Sequence, residues 1–287
     1  MRNIKPPLPF CGHKGHWGAE LTQIAAALPV NCFVFDVFGG SGVCAHYIQK
    51  ARPDLCVIWN DFDNYQARLA HVDETELARQ HFLSYLGLPV PKNTFNPPLT
   101  DEQRAFVFDT VRQWLKKYEF VDMQTLSRWF YLYSHKTYKL MSSTGKLYNR
   151  VPVVPMRSDA CASWLQGCQR TSVLFTGLDT VFQVFGVSVR PRDYINAQDA
   201  LFVFDPPYLG TGCNDYDNQE SLRVLQSIID CVEHLPFILF GDSSIAFWYE
   251  ALFKNRRVLK YEKNINNVGM NHKKRSEVMF VSLPGEG

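Results

Sequence analysis

The sequence predicts an α/β protein: one sheet domain, split in the chain by a long and mainly helical insertion. Three observations carry this. Short apolar runs that read as strands recur toward both ends of the 287-residue chain, at 32–38, 55–59, 201–205, 236–241 and 276–283. A glycine-rich turn and a helical stretch join the first two runs, and helical spacing at 217–234 and 244–254 separates the later ones. Between 64 and 140 the rhythm becomes mostly helical. The expected division is 1–65 plus 176–287 for the sheet domain and 66–175 for the insertion.

Taken in order, residues 14–28 place Trp17, Leu21, Ile24 and Leu28 at helical spacing and end at Pro29. "CFVFDVF" (32–38) follows as a strand, then the glycine turn, then a helix through Ala45 to Lys50. "LCVIW" (55–59) is the second strand, ending in Asn60-Asp61. Strand, glycine turn, helix and strand with an acidic end form the opening of a Rossmann-like sheet. In the insertion, "AFVFDTVRQWLKKY" and "LSRWFYLYSHKTYKL" have helical spacing, and 141–175 read as irregular with "STGKLYNR" as a hairpin. Trp129, Phe130, Tyr131, Tyr133 and Tyr138 are assigned to core rather than to base stacking, and the Lys/Arg among them are the candidates for surface contacts.

Composition narrows the class. Apolar residues make up 46% and charged residues 20%, as in ordinary globular proteins. No apolar run approaches the ~18 residues of a membrane span, and "MRNIKPPLPF" has no apolar core of a secretory signal. A cytoplasmic protein is expected. Its eight cysteines form no CxxC pair and its eight histidines no metal-like spacing, so reduced thiols and no metal are expected. The net charge of +2 hides a segregation: 128–170 holds seven Lys/Arg against one Asp, and 254–275 eight against one Glu. A polyanion would favour such faces through counterion release, although two solvated surfaces would look the same.

Two motifs carry chemistry. "DVFGGSG" (36–42) sets Asp36, Phe38, Gly40 and Gly42 between a strand and a helix. Gly40 and Gly42 permit positive φ and close approach of a ligand to the helix N-terminus, and a purely structural tight turn would use the same glycines. Asp61 ends the next strand, 21 residues past Gly40, where a carboxylate can accept from ribose hydroxyls or cap a helix. The second motif is "LFVFDPPYLG" (201–210), a buried strand stopped by two prolines. That stiff turn aims Asp205 and Tyr208. Methylation of an exocyclic amine on a nucleobase needs such a device, because the nitrogen lone pair is delocalised into the ring. A carboxylate (Asp205) and a backbone carbonyl (Pro206), fixed before reaction, would draw the amine toward tetrahedral geometry. Tyr208 would stack on the base once it leaves the duplex.

With these residues in order, the chain resembles the Dam-type N6-adenine DNA methyltransferases of bacteria and phages. "PFCGHKG" (9–15) is similar to that family's opening motif and implies Phe10 and Lys14 near S-adenosylmethionine. "FDVFGGSG" resembles its cofactor turn, "WNDFD" its ribose-binding strand end, and "STGKLYNRVP" its recognition hairpin. "DALFVFDPPYLGTGCNDY" resembles the catalytic strand and a loop with a second aromatic, Tyr216, and "NHKKRSEVMFVSL" the closing basic loop and strand. Asp193, twelve residues before Asp205, matches a further cofactor-side acidic residue; Pro191 stands where the family carries an aromatic. The resemblance implies a Rossmann-like S-adenosylmethionine-dependent methyltransferase sheet with a mainly helical DNA-recognition insertion. The catalytic set it implies is Asp205, Pro206, Pro207 and Tyr208. The implied partner is double-stranded DNA, touched by Arg128, Lys136, Lys139, Lys146, Arg150, Tyr216, Lys273, Lys274 and Arg275. A monomer or weak dimer, with no membrane and no metal, is expected.

Overall fold

A computed structural model describes residues 4–10, 14–89, 97–131, 140, 146–177, 179–180, 200–206, 218–243, 246–265 and 275–284. Its helices are α1 (Gly18–Ala27), α2 (Val43–Ala51), α3 (Tyr65–Ala70), α4 (Val72–Leu86), α5 (Asp101–Lys117), α6 (Met123–Phe130), α7 (Ser158–Gln166), α8 (Asn218–His234) and α9 (Ala246–Leu252). The strands are β1 (Phe33–Asp36), β2 (Cys56–Asn60), β3 (Gln169–Thr171), β4 (Ala200–Phe204), β5 (Phe237–Asp242), β6 (Leu259–Ile265) and β7 (Arg275–Ser282).

All seven strands form one sheet in the order β3-β2-β1-β4-β5-β7-β6. The first five in that order run parallel, and β7 lies antiparallel to both β5 and β6. The fold is a mixed α/β, Rossmann-like sheet. Parallel strands are covered on both faces, so the central ones must be apolar throughout. Accordingly β4 is buried along its whole length, and Val34, Phe35, Phe237 and Leu239 are fully enclosed. The core on one face joins Phe35, Phe202 and Phe204 to Ile228 and Val232 of α8 and to Tyr249 of α9. On the other, Gly18 of α1 lies against Tyr47 of α2 so closely that a Cβ there would sit 2.2 Å from the ring.

Two strands depart from the sequence expectation. Residues 169–171, expected to be irregular and part of the insertion, pair in parallel with Ile58–Asn60 of β2. A three-residue polar edge strand has no apolar run to reveal it. Strand β6, "LKYEKNI", lies in the basic stretch and has no continuous apolar run to reveal it, being an edge strand that pairs among the described residues only with β7.

The chain divides into two compact units: Met1–Lys5, His13–Asp63 and Gly167–Gly287 form one, and Pro6–Gly12 with Asn64–Gln166 the other. The second has its own core, built on Phe82, Val107, Val111, Leu126, Trp129 and Phe130. Its helix α5 starts in a capping box, Thr100 accepting from the Gln103 N–H while Gln103 accepts from the Thr100 N–H. Arg68, 3% exposed, binds Asp122, Gln124, Thr125 and the Pro9 carbonyl, and Arg79 clasps the carbonyls of Pro152 and Val153. Within the expected hairpin, 146–150 form no strand. Tyr148 bridges to Pro98, and the N–H groups of Tyr148 and Arg150 donate to Phe130 and Trp129 at the end of α6.

Candidate active site

The strand order reverses between β1 and β4, and in open parallel sheets ligands bind outside the carboxyl ends of the strands at such a switch point. Both sequence motifs end there. Asp36 pairs in register with Val203, and the Val37 N–H donates to the Val203 carbonyl at 2.9 Å. The glycine turn after β1 and Asp205 after β4 are therefore neighbours by strand pairing alone.

The turn itself is tightly specified. Gly40 and Gly42 have φ of 47° and 75°, the left-handed region that favours glycine, and Gly42 is the N-cap of α2. Gly39, which sequence reading passed over, is held for a different reason: a Cβ there would stand 2.2 Å from Cδ1 of Trp59 on β2. Asp36, 1% exposed, accepts from the Ala45 N–H in the first turn of α2 at 3.2 Å. Burial raises its pKa to about 7; the Ala45 bond and Lys14 oppose that rise and Asp205 adds to it.

Lys14 is the cation of the site. Only 3% exposed, its Nζ lies 2.7 Å from Oδ2 of Asp205 and 5.6 Å from the Phe240 ring centroid. Burial pulls its pKa down, but the Asp205 and Glu277 charges outweigh that and hold it above the ordinary lysine value. Glu277 on β7 is 6% exposed and accepts from the Trp17 indole at 3.2 Å, with His16 Nε2 at 2.9 Å. Burial pushes its carboxyl up; the His16 bond, the Lys14 charge and the Trp17 bond together bring it below its ordinary value. Burial raises the Cys44 thiol well above its usual range, with Asp36 and Asp205 adding to the effect.

The end of β2 closes the other side. Asn60, 1% exposed, donates to the carbonyls of Val37 and Val173 and accepts from the Val173 N–H, tying β1 to the segment after β3. Asp61, 4% exposed, donates its backbone N–H to the Thr171 carbonyl. The N-cap of the next helix is Asn64, so Asp61 does not cap it.

The structure thus brings Lys14, Asp36, Gly40, Gly42, Asp61 and Asp205 into the first unit, with Phe38 packed edge-on to Phe175 and Pro206 buried after Asp205. Phe10 belongs to the second unit, where its ring meets Tyr65 edge-on. Pro207, Tyr208, Asp193, Lys136, Lys139, Tyr216, Lys273 and Lys274 lie outside the described residues, and of Arg275 only its place as the first residue of β7 is described. Arg128 is half-buried on α6; Lys146 and Arg150 are exposed. Part of the basic charge in 254–275 is committed internally. Arg256 binds Val232, Leu235 and Ser282, Lys260 pairs with Glu250, and Lys263 with Glu20.

No protein-family model matches the chain. Over 252 residues, 84% of this chain and 77% of its counterpart, it is 28% identical to a curated protein of Haemophilus influenzae (strain Rd) named "Putative methyltransferase". Sheet and relative together support a methyltransferase.

A methyltransferase of this class ordinarily draws on S-adenosylmethionine, and the donor set suits that molecule. Its sulfonium and ammonium are cationic, its carboxylate anionic and its ribose a diol. Asp36 and Asp205 offer negative charge, Lys14 positive, and Asp61 a buried carboxylate at the end of β2. Among the described residues no helix is long and apolar enough to cross a membrane, and no group of three or more His, Cys, Asp or Glu could hold a metal ion. The six described cysteines are free thiols.

Proposed function

We propose that the protein methylates the exocyclic N6 of adenine in double-stranded DNA, with S-adenosylmethionine as methyl donor and the target base turned out of the helix, as Dam-type enzymes do. One observation supports this above the rest. Asp205 stands at the carboxyl end of a fully buried strand, beside the glycine turn at the switch point, and opens Asp-Pro-Pro-Tyr.

When bound, S-adenosylmethionine supplies a methyl group activated for attack by a weak nucleophile. The chain's part is to create that nucleophile. The Asp205 carboxylate and the Pro206 carbonyl accept the two amine hydrogens of adenine, which localises the nitrogen lone pair and points it at the methyl group. Both acceptors are set by a buried strand end and a proline, so little reorganisation is needed during reaction. Lys14, 2.7 Å from Asp205, pairs with that carboxylate and orients it. Tyr208 stacks on the extruded base. Burial raises the Cys44 thiol and so disfavours its thiolate; attack by the amine on the methyl group is direct, without a covalent enzyme intermediate. Lys14 takes the cofactor carboxylate, Asp61 the ribose, and Asp36 with Gly40 and Gly42 the methionine end at the helix α2 N-terminus. In the insertion, Arg128, Lys136, Lys139, Lys146 and Arg150 meet DNA, joined by Tyr216, Lys273, Lys274 and Arg275 from the catalytic half.

Transfer of labelled methyl from the cofactor tests the reading. Duplex DNA should be labelled, RNA and a no-nucleic-acid control should not. Asp205→Ala should cut the rate on the order of a hundredfold or more, because the lost acceptor acts mainly on the transition state. A rate within a few-fold of wild type would remove Asp205 from the chemistry.

A further inference from the structure

We propose that Glu277 is a positioning residue for the Lys14–Asp205 pair: it fixes the turn that carries Lys14 and supplies the second negative charge that keeps this lysine protonated beside Asp205. The inference rests on the assignment of Asp205 as the acceptor for the target amine.

Register places Glu277 where it can act. It pairs across the sheet with Asp242 at the end of β5, and β7 runs antiparallel, so Glu277 lies near the start of β7 at the same edge as the carboxyl ends of the parallel strands. A carboxylate buried to 6% in an otherwise apolar run, Val278–Val281, has a desolvation cost that packing does not require. Its hydrogen bonds show where that cost is offset. They go to His16 and Trp17, the last two residues of a single 3-10 turn, Gly15–Trp17, that follows Lys14 directly. The Trp17 N–H closes that turn on the Lys14 carbonyl at 2.9 Å. Glu277 therefore ties the backbone at Lys14 to the sheet, while Asp205 holds the other end of the same residue, its ammonium.

The charge count points the same way. Asp36, Asp205 and Glu277 surround one buried lysine, with the Cys44 thiol beside them. Facing the network from outside are His16 and Glu20 of the 15–27 segment, Lys263 of β6 and Asp242 of β5; Lys263 binds both the His16 carbonyl and Glu20. With Glu277 neutral, Lys14 keeps its burial and loses one of its two chief counter-charges. It then gives up its proton at lower pH, and a neutral amine no longer holds the Asp205 carboxylate in place by charge.

The test compares wild type, Glu277→Gln and Glu277→Asp. In protein carrying labelled lysine, the Lys14 ammonium is titrated by NMR, and the pH profile of methyl transfer to duplex DNA is recorded alongside. Glu277→Gln keeps an acceptor for Trp17 and removes the charge. Its Lys14 titration and the alkaline limb of kcat should both move about one pH unit toward acid, so that kcat falls most on that limb, where wild type still holds the Lys14 proton, with KM for cofactor changed less. Glu277→Asp should keep the titration near wild type and lose rate, because the shorter arm cannot reach the turn. A Lys14 titration and alkaline limb that stay in place in Glu277→Gln would overturn the proposal. If the titration moves and wild type methylates no DNA, the positioning role stands and the assignment of the reaction falls.

Discussion

Asp36 gives the sharpest thermodynamic prediction. Its pKa is raised to about 7 by burial, whereas an aspartate in the unfolded chain releases its proton near pH 4. Between those two values the folded state binds a proton that the unfolded state does not, so the Asp36 contribution to stability is greatest below about pH 4, falls as pH rises, and levels off above about pH 7. A shift of about three units corresponds to roughly 4 kcal/mol of unfavourable charge burial at high pH, taken as an upper bound. Asp36→Asn removes that cost and keeps an oxygen for the Ala45 N–H. Its new amide hydrogens need acceptors, which returns about 1–3 kcal/mol. The net expectation is a variant more stable than wild type by about 1–3 kcal/mol at pH 8, and no more stable at pH 5. Urea unfolding at the two pH values, followed by tryptophan fluorescence, reads this directly as a shift in midpoint at constant slope. The same variant should bind cofactor more weakly, because an isosteric amide offers no charge to a cationic group. A gain equal at both pH values, or a loss larger at pH 8 than at pH 5, would refute the account of Asp36.

Asp61→Ala should weaken binding of S-adenosylhomocysteine by about 1.5–3 kcal/mol, the scale of hydrogen bonds to a charged group, as read by calorimetry; unchanged affinity would release Asp61 from the ribose. Gly39→Ala should destabilise the first unit and lower cofactor affinity together, since its Cβ would lie 2.2 Å from Trp59, and a Trp59→Leu second change should recover part of both. Lys146→Ala or Arg150→Ala should alter which DNA sites are methylated, because base-edge contacts carry sequence information and phosphate contacts do not. If instead these variants lose affinity equally for all sequences, with a shallower salt dependence, they are phosphate contacts.

What the sequence made legible follows from which physical signals are local. The central strands are enclosed on both faces, so "FVFD", "ALFVF" and "FILFG" announce themselves as apolar runs. The glycine turn and the proline stop are also local, because positive φ and a missing donor belong to single residues. Edge elements leave no such trace: Gln169–Thr171 is polar, and Leu259–Ile265 reads as a basic loop because only one neighbour pairs with it. Relations across the fold are hidden as well. Gly39 matters because Trp59 stands over it, and nothing in "VFGGSG" says so. Glu277 had one faint mark, a lone acid at the head of an apolar strand, and its meaning depends on a turn some 260 residues earlier. In the basic stretch 254–275, Arg256, Lys260 and Lys263 bind partners within the chain, which their sequence neighbours do not reveal.

The most direct test of the central claim is the identity of the methylated product. Duplex DNA from a methylation-free host is incubated with the protein and S-adenosylmethionine, digested to nucleosides and resolved by mass spectrometry. The account predicts N6-methyladenine, formed by wild type and lost with Asp205→Ala. N4-methylcytosine in its place, or methyl groups appearing only on RNA or protein, would contradict it.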